Sequence, residues 1–301
     1  MKRLVKILSC MLPLVAFTFS MSACGGDGAP GLSGGGIDGG GGPSTEYKYP
    51  KSSAKTIRLL TYNVFYCKGN TGTPSFSTNN IENVAQVIKL LDADVVSLQE
   101  LDKGVASRGS RDLLQQIKEA TGIDYQVVFS EASPYGGGAV GCGALVKKSL
   151  SPVNITQEAL PGDEARKLIV VELADFVFMA THLDLNNDKR TQSATIINNV
   201  SNTYTKPVFL AGDLNDSHLW SGGGIAFPAL ATNFQIKSAT DGTLPDQPGQ
   251  TIDYILLNPN STSTLDFKGT SVVKKINVDG AVKNTASLSD HYPVYLDIEV
   301  R

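Results

Sequence analysis

The chain has 301 residues, 26 Lys and Arg against 29 Asp and Glu, and a formal net charge of −3. With 41% hydrophobic and 18% charged residues it can bury a sizeable core, which excludes a wholly disordered chain, and the absence of a Gly-X-Y period, heptad run or longer repeat excludes collagen, coiled coil and solenoid. The slight acidity offers no basic footprint for holding polyanions nonspecifically, and four cysteines are too few for a disulfide scaffold.

Lys2, Arg3 and Lys6 precede a mostly apolar stretch from Ile7 to Ala23 that is too short to span a bilayer and is interrupted by Pro13. Residues 1–23 therefore read as a leader. It ends Met21-Ser22-Ala23-Cys24-Gly25, which resembles a bacterial lipobox, with Met21 where Leu is usual. The expectation is a lipidated N-terminal Cys24 that anchors the chain to a membrane of the bacterial cell envelope, periplasmic or surface-exposed. The alternative is an ordinary secreted protein in which Cys24 is incidental. Residues 1–23 carry three positive charges and no acid, so their removal leaves −6. Residues 24–55 read as a Gly-rich flexible tether. Gly25 to Gly42 carries only Asp27 and Asp38 as charges and cannot bury enough apolar surface to offset chain entropy. No Lys-Ser/Thr pair follows the glycines, which argues against a phosphate-cradling loop.

From Thr56 onward, residues 56–301 read as one domain of alternating strand and helix patterns. The predicted strands are Thr56–Val64, Asp94–Gln99, Tyr125–Phe129, Val140–Lys147, Lys167–Leu173, Phe176–His182, Pro207–Gly212, Thr251–Leu257 and Pro293–Val300. Between the first two, Ile81, Val84, Val87, Ile88 and Leu91 recur at helical spacing, with Asn79 and Glu82 resembling a capping box. Leu113, Leu114 and Ile117 mark a second helix stopped by Gly122, and Asp188 to about Val200 a third. Many strands against three helices predict packed sheets with the helices outside.

Polar residues gather where these strands end. Asn63, Glu100, His182 and Asp213 each close an apolar run, whereas Asp290-His291 precedes the last strand. Together with Asp253 and Asn215 they form a set of acids, amides and imidazoles that strands of one sandwich can bring to a common rim. Oxygen-rich clusters suit hard cations such as Mg²⁺. A cation beside His and Asp is what phosphoester hydrolysis needs, because it offsets phosphate charge while a carboxylate or amide orients water. No Cys-x-x-Cys, His-Glu-x-x-His or Gly-x-Ser-x-Gly pattern competes.

The ordered strings Thr61-Tyr62-Asn63, Leu98-Gln99-Glu100, Thr181-His182-Leu183, Gly212-Asp213-Leu214-Asn215, Ile252-Asp253-Tyr254-Ile255 and Ser289-Asp290-His291-Tyr292-Pro293-Val294 resemble the endonuclease/exonuclease/phosphatase superfamily, which includes pancreatic-type deoxyribonuclease, abasic-site endonucleases, neutral sphingomyelinases and inositol-polyphosphate 5-phosphatases. The resemblance covers about residues 56–301 and implies a four-layer α/β/β/α sandwich of two packed, mainly antiparallel sheets with outer helices. It implies a Mg²⁺ (or Mn²⁺) site at Glu100, assisted by Asn63 and Asp290. It further implies that Asp213 and Asn215 position or deprotonate water, that His182 contacts the phosphate, and that His291, polarised by Asp253, stabilises charge or shuttles a proton. Either Asp213 or the Asp253–His291 pair is the base. Taken singly, the two Asn residues are as well read as turn residues, the acids as solvated strand ends and the histidines as satisfied packing residues. The functional reading rests on all eight positions together.

The expected activity is that of an exported, metal-dependent phosphoester hydrolase of phosphodiesterase or nuclease type. Its substrate is a nucleic acid, a phospholipid headgroup or a small phosphodiester, and no protein partner is implied. The alternatives are a non-catalytic surface binding module on the same fold and a lipid or inositol-phosphate phosphatase. Arg166 resembles a recurring family arginine that steadies a phosphate, and Tyr135 is a second substrate-binding candidate. Arg108, Arg111 and Lys189 or Arg190 read as substrate-facing charge or, more cheaply, as a solvated helix face. His218 and Trp220, after the Asp213 string, read as cleft-lining residues, Trp220 stacking a base or sugar, or more simply as packing. Cys67 and Cys142 read as a bridge or two free thiols.

Overall fold

The computed structural model describes residues 46–72, 75–260 and 265–301. The leader, Cys24 and the tether up to residue 45 lie outside the described residues. Among the described residues, no helix is long and apolar enough to cross a membrane.

The strands are β1 (Ile57–Asn63), β2 (Val95–Lys103), β3 (Tyr125–Tyr135), β4 (Gly138–Lys147), β5 (Asn154–Leu160), β6 (Arg166–Glu172), β7 (Val177–His182), β8 (Val208–Asp213), β9 (Gln235–Ile236), β10 (Asp253–Asn258), β11 (Leu265–Val272), β12 (Lys275–Val278), β13 (Ala281–Asn284) and β14 (Val294–Val300). The helices are α1 (Thr78–Leu90), α2 (Leu113–Thr121), α3 (Asn187–Ser201) and the single turn α4 (Phe227–Leu230). One sheet runs β11-β14-β1-β2-β4-β3 and the other β5-β6-β7-β8-β10-β9, while β12 and β13 form a separate hairpin. Each large sheet has one parallel pair, β1/β2 and β7/β8, bridged by α1 and α3 respectively; the remaining pairs are antiparallel.

Alternation of apolar residues along the central strands builds the layers, since successive side chains point to opposite faces. Leu59, Val95, Ala144 and Leu296 meet Ile169, Phe178, Phe209 and Ile255 in the layer between the sheets. Leu60, Val96 and Leu145 turn outward onto α1 and α2. Val170, Met179, Leu210 and Leu256 do the same onto α3 and α4. The result is the expected α/β/β/α sandwich.

All nine predicted strands and three helices are present, with differences at their edges. The sequence reading missed β5 because it is an exposed edge strand without an apolar face; pairing with β6 along its whole length holds it. Also missed are β9, β11 and the hairpin β12–β13: β11 and β13 are largely exposed, whereas β12 is buried but only four residues long. The capping box is absent: α1 starts at Thr78 after Ser77, and no side chain caps it. Residues 46–55, read as tether, lie against the domain: the Tyr47 carbonyl accepts from the Asn277 amide, Tyr49 Oη donates to the Lys275 carbonyl, Lys51 pairs with Asp94, and Tyr49 supplies one partner of Arg58. Fully buried, Arg58 forks onto Asp297 at 2.7 Å and donates through Nη1 to the carbonyls of Tyr49 and Leu91. A buried guanidinium left without those acceptors would cost several kcal/mol, roughly, in the folded state.

Candidate active site

The C-terminal ends of β1, β7 and β8 and the N-terminal end of β10 reach one edge of the sandwich, so their terminal residues face one another. His182 pairs with Asp213 across β7/β8, and Asp213 with Asp253 across β8/β10. Gly212 permits this register, because a Cβ there would lie 2.1 Å from the Thr181 carbonyl oxygen.

Glu100 departs from the strand-end rule, since β2 continues past it to Lys103. A bulge interrupts the β2/β4 register between Leu98 and Leu101, and Glu100 takes a φ of 53°. The extra residue lets Leu98 and Leu101 both enter the layer beneath α1 and α2. Without it, strict alternation would send Glu100 into that apolar layer. The bulge instead turns the carboxylate toward Asn63. Below it, Gln99 Nε2 donates to Ser97 Oγ at 2.7 Å, and Ser97 Oγ donates to the Ala211 carbonyl at 3.1 Å, a polar tie between the sheets.

Asn63 Nδ2 donates to Glu100 Oε1 at 3.1 Å and Asp213 Oδ2 at 3.0 Å, while its Oδ1 accepts from the Phe65 amide. As oriented, Asn63 presents hydrogen-bond donors, not an oxygen, to the acids. Asp213 Oδ2 also lies 3.4 Å from His182 Nε2 and 3.7 Å from His291 Nε2. Its Oδ1 accepts from the backbone amide of Asn215, whose φ of 48° brings the side-chain Nδ2 to 3.0 Å from His182 Nε2. His291 Nδ1 lies 2.8 Å from Asp253 Oδ2, and its Nε2 is 4.0 Å from Asp290 Oδ1. Arg166 Nη1 is 3.5 Å from His182 Nδ1, and Nε is 3.4 Å from Asp184 Oδ2. Glu100, Arg166, His182, Asp213, Asn215 and His291 line a cavity of about 200 Å³ together with Tyr66, Glu164 and Leu185. Larger cavities formed by other described residues lie elsewhere and share none of these.

Burial lowers the His182 pKa to about 4, outweighing Asp213, so this imidazole is neutral at pH 7. Burial also works to lower His291, but Asp253, Asp213 and Asp290 together raise it to about 10. Glu100 rises to about 7, first through burial and then through Asp290 and Asp213, against the lowering effect of Asn63. Burial raises Asp290 as well. Asp253 Oδ1 is buried without a hydrogen-bond partner. The acids are thus more than the protein's own cations neutralise, and an oxygen-rich set of this kind fits a hard divalent ion. Asp213, Asp253 and His291 each offer a ligand atom within 4.8 Å of the others. In that trio, however, His291 Nδ1 is engaged by Asp253, so Glu100 and Asp290 are the better oxygen donors.

The eight strand-end positions read from the sequence converge here, and Arg166 joins them. Tyr135 does not line the cavity. It is 49% exposed and packs on Arg108, which in turn lies over Tyr66. Arg108 and Arg111 are not a solvated helix face: they lie 13% and 5% exposed around the buried Asp102. Arg190 is buried and donates to the carbonyls of Asp184 and Leu185. His218 packs on Tyr254 and Phe227, and Trp220 donates to Gln250. Cys67 and Cys142 are free, buried thiols, each pushed up to about 12 by burial. Sequence reasoning missed Tyr66; three successive residues with positive φ, Phe65 to Cys67, set its ring at the cavity, and no composition signal marks such a turn.

The family model described as the Endonuclease/Exonuclease/phosphatase family matches residues 60–291. No curated protein matches the chain. Among solved structures, an endonuclease/exonuclease/phosphatase from Bacteroides vulgatus is 19% identical, with a TM-score of 0.62 over 82% of this chain and 99% of that one. A mannosyl-6-phosphatase from Bacteroides thetaiotaomicron is 18% identical, with a TM-score of 0.58 over 80% and 99%. The human Nocturnin catalytic domain, with a bound sulfate anion, is 16% identical, with a TM-score of 0.60 over 85% and 97%. At these identities the likeness is one of fold.

Proposed function

The chain belongs to the endonuclease/exonuclease/phosphatase family, whose members are phosphoester hydrolases, and from that premise we propose that it is an exported, divalent-metal-dependent hydrolase of phosphoesters. The observation that carries this reading is the meeting of Asn63, His182, His291 and Asn215 on the single carboxylate Asp213, at the wall of the cavity.

Glu100 and Asp290 would hold Mg²⁺ or Mn²⁺, and Asn63 would join them once its amide turns over to present Oδ1. When bound, the cation supplies positive charge against the phosphate oxygens. Arg166 and neutral His182, which also line the cavity, bind and orient those oxygens. Asp253, Asp213 and Asp290 favour the protonated form of His291 against its burial, so Nε2 is suited to donate to the oxygen that gains charge, while Asp253 fixes the ring through Nδ1. Asp213, whose Oδ2 faces both imidazoles, is assigned as the acceptor of the proton from water, with Asn215 as its positioning amide.

The test is hydrolysis of bis(4-nitrophenyl) phosphate with Mn²⁺ or Mg²⁺, followed by a panel of DNA, RNA, sphingomyelin, phosphoinositides and sugar phosphates, the last because one solved relative is a mannosyl-6-phosphatase. EDTA is expected to abolish turnover and excess Mn²⁺ to restore it. Activity that survives EDTA would refute the metal, and no activity on any phosphoester would leave a binding module.

We further propose that cleavage ahead of Cys24 produces a lipid-anchored protein of the bacterial cell envelope, on the strength of Met21-Ser22-Ala23-Cys24 after the apolar leader. A Cys24→Ala chain is expected to move from the membrane fraction to the soluble fraction. An unmodified Cys24 in the intact mass of membrane-extracted protein would contradict the anchor.

A further inference from the structure

Beside the cavity, the end of β2 and the loop after it carry a charge imbalance that the reaction above does not use. Asp102 is fully buried and accepts from Arg111 Nε at 2.9 Å and Nη2 at 3.0 Å, so one guanidinium fork takes both carboxylate oxygens. Arg108 reaches Asp102 only through Nη1 at 3.5 Å. Among the described residues, Asp102 is the only carboxylate within ion-pair range of either arginine. Two guanidiniums thus share one acid, and Arg111 Nη1 is buried with no hydrogen-bond partner.

Aromatic rings hold Arg108 in place. Its guanidinium carbon lies 3.9 Å from the centre of the Tyr66 ring, 4.9 Å from that of Tyr135 and 5.3 Å from that of Phe76. Ring faces attract a cation but do not neutralise it. The turn behind Tyr66 is made for this placement. Phe65, Tyr66 and Cys67 have φ values of 49°, 52° and 50°, a sparsely populated conformation for three non-Gly residues in a row, and Arg111 Nη2 donates to the Tyr66 carbonyl. Tyr66 then stands with its ring in contact with Arg108 while lining the cavity where the phosphoester enters. An under-neutralised guanidinium, with a planar fork and little freedom to move, is suited to a pair of phosphate oxygens.

We propose that Arg108, seated on Tyr66 and Tyr135, is a specificity-determining residue that binds a second phosphate group of the substrate, next to the one held in the cavity. The proposal rests on the phosphoester reading and narrows it to substrates carrying two phosphates.

Alkanediol bisphosphates of graded chain length, with propyl phosphate as the single-phosphate control, test it. Binding is measured by calorimetry in EDTA, and inhibition against bis(4-nitrophenyl) phosphate with Mn²⁺. The wild type is expected to bind the best bisphosphate at least about tenfold more tightly than propyl phosphate. Arg108→Gln should reduce that ratio to the roughly twofold statistical advantage of two ends, and Arg108→Lys should restore part of it. A wild type without preference overturns the proposal. So does an equal loss for both ligands in Arg108→Gln, which is what a merely structural arginine would produce. If the wild type hydrolyses no phosphoester yet keeps a preference that depends on Arg108, the reaction falls and the second-phosphate subsite stands.

Discussion

Changing Asp213 to asparagine is expected to lower kcat/KM on bis(4-nitrophenyl) phosphate by about 10³-fold at saturating Mn²⁺, within the range for loss of a positioned acid–base group. Asp213 Oδ2 faces Asn63 Nδ2 at 3.0 Å, His182 Nε2 at 3.4 Å and His291 Nε2 at 3.7 Å. An amide can keep the backbone bond from Asn215 but cannot accept a proton from water, and its NH₂ would oppose the donor on Asn63. Size and register are preserved, so the fold should persist, which thermal melting checks. A loss under about tenfold would shift the proton acceptor to the Asp253–His291 pair. Asp253→Asn would then carry the larger effect.

Glu100→Gln is expected to reverse its effect on stability with metal. Burial and neighbouring acids raise Glu100 from 4.5 to about 7. A carboxyl whose folded pKa exceeds its unfolded value holds its proton longer in the folded state. Its ionisation therefore costs stability as pH rises between those two values, and the cost is complete above about 7. In EDTA at pH 8 the glutamine variant should be more stable, by about 2 kcal/mol or roughly 5 °C in Tm. With Mn²⁺ the order should invert, because only the wild type gains a ligand-linked increment. Protons compete for the same oxygens, so Mn²⁺ affinity of the wild type should fall as pH drops through 7. Equal Mn²⁺ shifts in the two proteins would remove Glu100 from the cation site.

The two-sheet architecture was legible because the central strands are apolar on both faces, as Leu59-Leu60 and Val95-Val96 are. Edge elements such as β5 carry no such signal, since pairing with a neighbour and not burial makes them strands. Convergence of the polar strand ends was legible for a related reason. A residue that closes an apolar run must leave the sandwich at its rim, and the rim here is shared. What the sequence could not convey is orientation. The bulge at Glu100, the direction of the Asn63 amide and the positive-φ turn at Tyr66 are choices of one or two dihedral angles made under tertiary packing. For Arg108 and Arg111 the cheaper of the two sequence readings, a solvated face, fails for the opposite reason. Charge alone suits a solvated face, and the buried Asp102 draws them inward.

The hydrogen bond from Asn63 to Asp213 crosses from one six-stranded sheet to the other, and the contact of His291 with Asp253 joins the loop entering β14 of the first sheet to β10 of the second. Neither half of the sandwich holds a complete reaction centre. The apolar side chains of the middle layer therefore act as the mounting that keeps two half-sites in alignment, and a sideways slip of about an ångström would separate donor from acceptor before any strand melted. Substitutions deep in that layer, far from any phosphate, belong among the determinants of turnover.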